Sequence, residues 1–364
     1  MLKSTYHIPA LPPADNLETV PVLKAAAEAH RYLAEVKGRA ASIPNQGILI
    51  DTLALQEAKA SSEIENIVTT HDELFQATLF PDGPDSGPAK EVERYRDALK
   101  LGFSSMVNAQ GLITNNAIIA MFQLLKRHDG GFRNTPGTTL KNDRTGDIVY
   151  VPPQTQDDIA THMAALEAFI NEDDTTIDPL IKMAIIHHQF ESIHPFPDGN
   201  GRLGRILNVL YLTKTGLLDI PILYLSRSIN NSKAEYYRLL QHVRDTSDWE
   251  PWLIYMLGAV AETSRHTLSL LEGIRQLMAD YKRVIRSEHG KIYSQDLLNN
   301  LLRHPYTRIE FLQSDLSISR QTASKYLDQL ASGGLLEMHR SGTSKYYINV
   351  PLVALLSELR PPQS

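Results

Sequence analysis

The chain contains no cysteine, which excludes a disulfide framework, a thiolate metal centre and a cysteine nucleophile, and accords with a reducing cytoplasm. Long apolar runs are lacking too: nothing in the sequence approaches the roughly 20 consecutive apolar residues of a membrane helix. The opening stretch MLKSTYHIPALPPADN is too polar and proline-rich for a secretion signal, so a cytoplasmic protein with no membrane partner is expected. Positive charge is in deficit, with 36 Lys and Arg against 42 Asp and Glu and a net charge of -6. This excludes wholesale coating of nucleic acid and leaves open only a local basic face. What is present is the composition of a folded chain, 42% hydrophobic and 21% charged over 364 residues. That length calls for two or three domains.

The hydrophobic spacing predicts helices over Val20 to Val36 and, after a Pro44-Asn45-Gln46-Gly47 turn, through DTLALQEAKASSEIENI (residues 51–67). The stretch PDGPDSGPA, residues 81–89, breaks the pattern near a domain boundary. Helices are then expected over residues 91–107 and 113–128, followed by a hairpin over residues 138–153 with its tip at Asn142 to Gly146. Residues 157–171, 178–193, 202–215 and 249–286 again carry helical spacing, with Gly290 as a break. Beyond it, residues 307–350 read as helix, turn, helix and short hairpin, with Ser319 as an N-cap and Gly333 and Gly334 as the helix stop. The expected architecture is mainly α: a region over residues 1–90, a helical core with a β-hairpin over 91–288, and a winged helix over 289–364.

The chemistry concentrates in HPFPDGNGRLGR, His194 to Arg205. Between two helices this becomes a tight loop that Pro195 and Pro197 stiffen, while Gly199 and Gly201 permit positive φ and close backbone approach to a ligand. Backbone N–H groups of Gly199, Asn200 and Gly201, feeding a helix N-terminus, form a donor array suited to phosphate oxygens. Arg202 and Arg205, three apart, are placed to grip further oxygens, which points to a polyphosphate. Asp198 beside phosphate suits a hard cation such as Mg²⁺. His194 at the rim is the side chain suited to accept a proton from a hydroxyl near neutral pH. A lone His-Pro or Gly-Asn-Gly is common in turns; the full constellation describes phosphoryl or nucleotidyl transfer.

This stretch resembles the signature of the Fic family, His-Pro-Phe-x-Asp/Glu-Gly-Asn-Gly-Arg-x-x-Arg, with Pro197 in the free position. The resemblance implies a Fic-fold core and transfer of AMP from ATP to a protein hydroxyl. It implies that His194 is the base, that Asp198 holds Mg²⁺, and that Gly199, Asn200, Gly201, Arg202, Leu203, Gly204 and Arg205 bind the nucleotide, the arginines at the β and γ phosphates. Gly201 and Arg202 depart from the lysine-bearing variant of the related Doc kinases and argue against phosphorylation. The 138–153 hairpin resembles the family's flap, on which a target protein docks its Ser, Thr or Tyr by strand addition; an ordinary surface hairpin fits the same residues. Tyr236 and Tyr237 either border the adenine or belong to the core, and Tyr237 is the candidate carried as nucleotide-binding.

The family's inhibitory pattern, Ser/Thr-x-x-x-Glu-Gly/Asn, is matched by SSEIEN through Ser61, Glu65 and Asn66. A glutamate paired with Arg205 would occupy the guanidinium that otherwise holds the γ-phosphate; a solvated helix face is the plainer reading of the same six residues. The reverse reaction, removal of AMP, uses the same site in some relatives and stays open. So does a nucleotide-sensing regulator whose winged helix binds DNA through Arg320, Gln321, Thr322, Ser324 and Lys325. Residues 291–350 carry seven Lys or Arg against five Asp or Glu, a faint footprint for nucleic acid. Winged helices also pair with proteins or with a second copy, so a homodimer stays open. His187 and His188 lie about 100° apart on a helix and lack the i, i+4 spacing of a zinc helix, so a packed pair is expected.

Overall fold

The computed structural model describes residues 6–14, 16–79, 87–141, 145–173, 176–341 and 344–357. Most of the 81–89 break, the hairpin-tip residues Asn142 to Arg144 and the wing-tip residues Gly342 and Thr343 lie outside the described residues. The chain begins with α1 (Val20–Ala41), α2 (Gly47–Ile64), α3 (His71–Leu79), α4 (Gly87–Asn108) and α5 (Asn115–Lys126). A hairpin of β1 (Leu140–Lys141) and β2 (Ile148–Tyr150) follows, then α6 (Gln156–Asn171), α7 (Pro179–Ile193), α8 (Asn200–Lys214), α9 (Ser226–Asn231), α10 (Lys233–Thr246) and α11 (Glu250–Glu288). The last part contains α12 (Gln295–Arg303), β3 (Tyr306–Thr307), α13 (Ile309–Leu316), α14 (Arg320–Ser332), β4 (Glu337–Ser341), β5 (Ser344–Ile348) and α15 (Val350–Ser357).

At the centre stands α7. Asp178 caps it by accepting from the Leu180 N–H at 2.8 Å, Pro179 opens it, and every residue from Leu180 to Ile193 is buried. A helix buried on all sides must be surrounded, and α6, α8 and α11 pack around it. The longest element, α11, has 39 residues, about 58 Å at 1.5 Å per residue. Its neighbours include α1, α7, α12 and α15, so it runs from the core into the C-terminal part. The stripe Val22, Ala26, Ala29, Leu33, Val36 and Ala40 alternates steps of four and three. This is the spacing that lets α1 lie along α11. Trp252 of α11 is wholly buried and donates its indole N–H to the Ala184 carbonyl of α7 at 3.0 Å.

In the C-terminal part α12, α13 and α14 accompany an antiparallel sheet in the order β3-β5-β4, with Met338 opposite Tyr347, and α15 follows. Ser319 caps α14 through the Thr322 N–H at 3.2 Å, as the sequence predicted. The spacing did not reveal α3, α12, α15 or β3. Each is short, and α12 depends on burying Leu297, Leu298, Leu301 and Leu302 rather than on a long repeat. No helix among the described residues is long and apolar enough to cross a membrane.

Replacing Trp252 by alanine removes the largest core side chain and the indole donor to the Ala184 carbonyl. The expected loss is about 3–5 kcal/mol of unfolding free energy. Urea denaturation measures it, and a loss under about 1 kcal/mol would contradict this packing.

Candidate active site

The loop from His194 to Gly199 joins the two central helices, α7 and α8, and is held mostly through its backbone. His194 ends α7 in the left-handed region, φ 49° and ψ 59°, with its N–H on the Phe190 carbonyl at 2.9 Å. The Asn200 side chain accepts from the Phe196 N–H at 2.9 Å and donates to the Phe196 carbonyl at 2.8 Å, closing the loop on itself. Phe196 is wholly buried and stacks on Phe122 with ring centroids 4.3 Å apart. The buried Arg133 donates from Nε to the His194 carbonyl at 2.8 Å and from Nη2 to the Pro153 carbonyl, while its own N–H reaches the Pro195 carbonyl at 2.8 Å. Arg133 therefore ties the loop to the foot of the hairpin. Nothing in the local sequence around Arg133 signals this role, because its partners lie 20 to 62 residues away.

Gly199 caps α8 at φ 81°, a left-handed conformation that favours glycine. The first N–H groups of α8, from Asn200 onward, have no acceptor within their own helix. The sequence expected this helix to begin at Arg202; it begins two residues earlier, which puts Asn200 and Gly201 inside the first turn. Leu203 and Gly204 are buried, Gly204 directly against His187, Phe190 and Glu191 of α7.

The two arginines part company. Arg202, 1% exposed, pairs with Glu91 of α4, which also takes Lys126 at 3.2 Å. Arg205, also 1% exposed, reaches the end of α2: Nε donates to the Ser61 hydroxyl at 2.8 Å, and Nη2 to the Ser61 carbonyl at 3.0 Å and to the Glu65 carboxylate at 2.8 Å. The Glu65 Oε1 lies 2.4 Å from where a Cβ on Gly201 would stand. Any side chain at 201 would therefore expel the carboxylate from the first turn of α8. Asn66 follows in the left-handed region at φ 61° and accepts from Lys233 at 3.1 Å. Behind this contact the buried Glu57 accepts from the Tyr95 hydroxyl at 2.9 Å, from the Ser226 N–H at 3.2 Å and from the Ser226 hydroxyl. Burial pushes the Glu57 carboxyl above its ordinary value.

Burial, and after it the charges of Arg133 and Arg244, push the His194 imidazole down to about 3. At neutral pH it is uncharged. The Asp198 side chain is 65% exposed and meets the Lys126 ammonium at 2.5 Å. Its partial burial works upward, but Lys126 and Arg202 outweigh it and hold the carboxyl below its ordinary value. No group of three or more His, Cys, Asp or Glu among the described residues could hold a metal ion. The ionised Asp198 does fit a hard cation shared with phosphate oxygens, with the ammonium now where such an ion's charge would fall.

In the hairpin, Leu140 pairs with Tyr150 and Lys141 with Ile148 across an irregular register. The Tyr150 hydroxyl donates to the Ser192 carbonyl at 2.9 Å and its ring lies under Arg244 at 4.1 Å, while Ile148 and Val149 are exposed. His187 and His188 are a packed pair. His187 meets the Tyr236 hydroxyl at 2.7 Å, and His188 meets the Leu240 carbonyl at 3.1 Å. Tyr236 belongs to the core; its neighbour Tyr237 is 45% exposed. In the C-terminal part, Arg320 meets Glu310 at 2.5 Å and Lys345 meets Asp328 at 3.2 Å, so part of its basic charge is spent internally.

The helical core presents a glycine turn, an uncharged imidazole and two buried arginines near one helix N-terminus, groups whose chemistry suits phosphate oxygens. Two family models match the chain: "Fic/DOC family N-terminal" matches residues 23–104 and "Fic/DOC family" matches residues 112–212. The chain belongs to the Fic family. A third model, "Protein adenylyltransferase SoFic-like, C-terminal domain", matches residues 277–352. Similar curated proteins include the protein adenylyltransferase fic-1 of Caenorhabditis elegans, 24% identical over 57% of this chain and 39% of its own length. A probable protein adenylyltransferase of Aquifex aeolicus is 30% identical over 47% of this chain and 51% of its own. The chain thus spans about half, or less, of the length of these relatives. Among solved structures, a Fic family protein from Desulfovibrio desulfuricans G20 superposes over 91% of this chain and 96% of its own with a TM-score of 0.55 at 22% identity, a likeness of fold.

Arg133→Ala should lower the unfolding free energy by about 1.5–3 kcal/mol, the usual worth of a charged donor on buried acceptors. Denaturant titration measures this. No loss would mean that the loop keeps its shape without the guanidinium.

Proposed function

We propose that this protein transfers AMP from ATP to a hydroxyl of a target protein and that Glu65 holds it in a low-activity state. The observation that carries the reading is the Arg205 guanidinium, buried at the first turn of α8 and taken up by Ser61 and Glu65. In the transfer, the target hydroxyl attacks the α-phosphorus, the bond to the bridging oxygen breaks, and pyrophosphate leaves in line. His194, uncharged at neutral pH, takes the hydroxyl proton. The N–H groups at Asn200 and Gly201 and the guanidinium groups of Arg202 and Arg205 bind and orient the phosphates. Asp198 would hold Mg²⁺ together with phosphate oxygens, the ion supplying charge neutralisation there; Lys126 must then give up its contact. Tyr237 borders the adenine. The exposed Ile148 and Val149 of the hairpin offer the target an edge for strand pairing.

Autoinhibition follows from competition for one cation. While Glu65 occupies Arg205, the γ-phosphate has no guanidinium, and ATP settles with its α-phosphorus out of line with the incoming hydroxyl. Losing a charged hydrogen bond worth about 1.5–3 kcal/mol corresponds to roughly 10- to 100-fold. Incubation with α-labelled ATP should therefore mark protein roughly 10-fold or more faster with Glu65→Gly than with the natural chain. His194→Ala should slow the labelling by about 10²–10⁴ while nucleotide still binds. γ-Labelled ATP should leave no mark. Label from the γ position would replace this reading with a kinase, and equal rates with and without Glu65 would remove the inhibitory assignment.

A further inference from the structure

The helix that carries Ser61 and Glu65 is also held at its other half by the C-terminal part of the chain. The Asp51 carboxylate of α2 meets Arg303 Nε of α12 at 2.5 Å and also takes the Lys100 ammonium of α4. Gln56 of α2 donates from Nε2 to the Leu356 carbonyl of α15 at 2.7 Å. α15 is seated on α11 where Gly273 makes room: a Cβ there would stand 2.5 Å from Leu355 Cδ1. The same face continues on α3, where the Tyr306 hydroxyl meets Asp72 and the Tyr306 ring lies 5.3 Å from Phe75. From Asp51 to Ile64, the residue before Glu65, is about 20 Å of continuous helix. Along it the buried Glu57 is bonded to Tyr95 and Ser226 and leaves little freedom to bend.

We propose that Arg303 is a positioning residue for Glu65: by gripping Asp51 it fixes where α2 lies, and so how firmly Glu65 seats on Arg205. This rests on the inhibitory reading of Glu65 given above. A packed helix shifts as a unit more readily than it deforms, so loosening the end near Asp51 weakens the pair at Glu65. The consequence is confined to ligands that compete with Glu65 for Arg205. Nucleotides with a γ-phosphate gain and AMP does not.

The test is calorimetric binding of ATP and of AMP to four full-length proteins: the natural chain, Arg303→Ala, Glu65→Gly and the double variant. Arg303→Ala should tighten ATP binding by about 2- to 30-fold, leave AMP unchanged, and have no effect once Glu65 is glycine. Arg303→Lys, which keeps the charge, should recover most of the natural ATP affinity. If Arg303→Ala does not fold, Gln56→Ala breaks the second contact and should give the same pattern. An effect of equal size in both Glu65 backgrounds, an equal effect on AMP, or no effect in either background would overturn the proposal. If Glu65→Gly itself leaves ATP binding unchanged, the inhibitory reading falls as well. If Glu65→Gly tightens ATP binding and Arg303→Ala does not, only the coupling falls.

Discussion

The Arg205 guanidinium is buried and meets its charge in the Glu65 carboxylate. Arg205 is almost wholly enclosed, and leaving its charge unpaired there would cost more than the fold can tolerate. Everything around it answers that requirement. Ser61 supplies two acceptors from the end of α2, Glu65 supplies the negative charge, and Gly201 offers no side chain to keep the carboxylate away. A phosphate oxygen meets the same requirement equally well. The proposed catalysis and its restraint both rest on exchange of one anion for another at this guanidinium.

The second constraint is the shape of the bend between α7 and α8. Its carbonyls are bound by Arg133 and by the Asn200 side chain, and its one large apolar residue, Phe196, is anchored on Phe122. The loop needs no ligand to keep its form, so the donors of the first turn of α8 stay oriented and little ordering cost falls on binding. The same enclosure keeps His194 uncharged at neutral pH. On the solvent side Lys126 lies on Asp198, whose carboxylate also accepts from the Gly199 N–H at 2.6 Å.

How much of this was legible in the sequence depended on distance along the chain. The loop residues His194 to Arg205 lie within twelve positions, so their closeness in space could be read before any fold was known. Ser61 and Glu65 were singled out by the resemblance of SSEIEN to the family's inhibitory pattern, and the structure brings both to Arg205. The reading of His187 and His188 as a packed pair agrees with their contacts to Tyr236 and Leu240. Arg202 was grouped with Arg205 on the same face; in the fold it turns to Glu91, a partner 111 residues away that no local pattern announces. Arg133, Glu57 and Lys126 were silent for the same reason. The short α12 and α15 were missed because their stability comes from the surfaces they cover, and those contacts reach back to α2 across some 250 to 300 residues.

The central claim is that Glu65 sits where a terminal phosphate belongs. Crystal structures of the natural protein and of Glu65→Gly, each with ATP, test it most directly. The account predicts the γ-phosphate on the Arg205 guanidinium in the glycine variant, and in the natural protein an intact Glu65 pair with the phosphate chain displaced. A γ-phosphate resting on Arg205 beside an undisturbed Glu65 would contradict it.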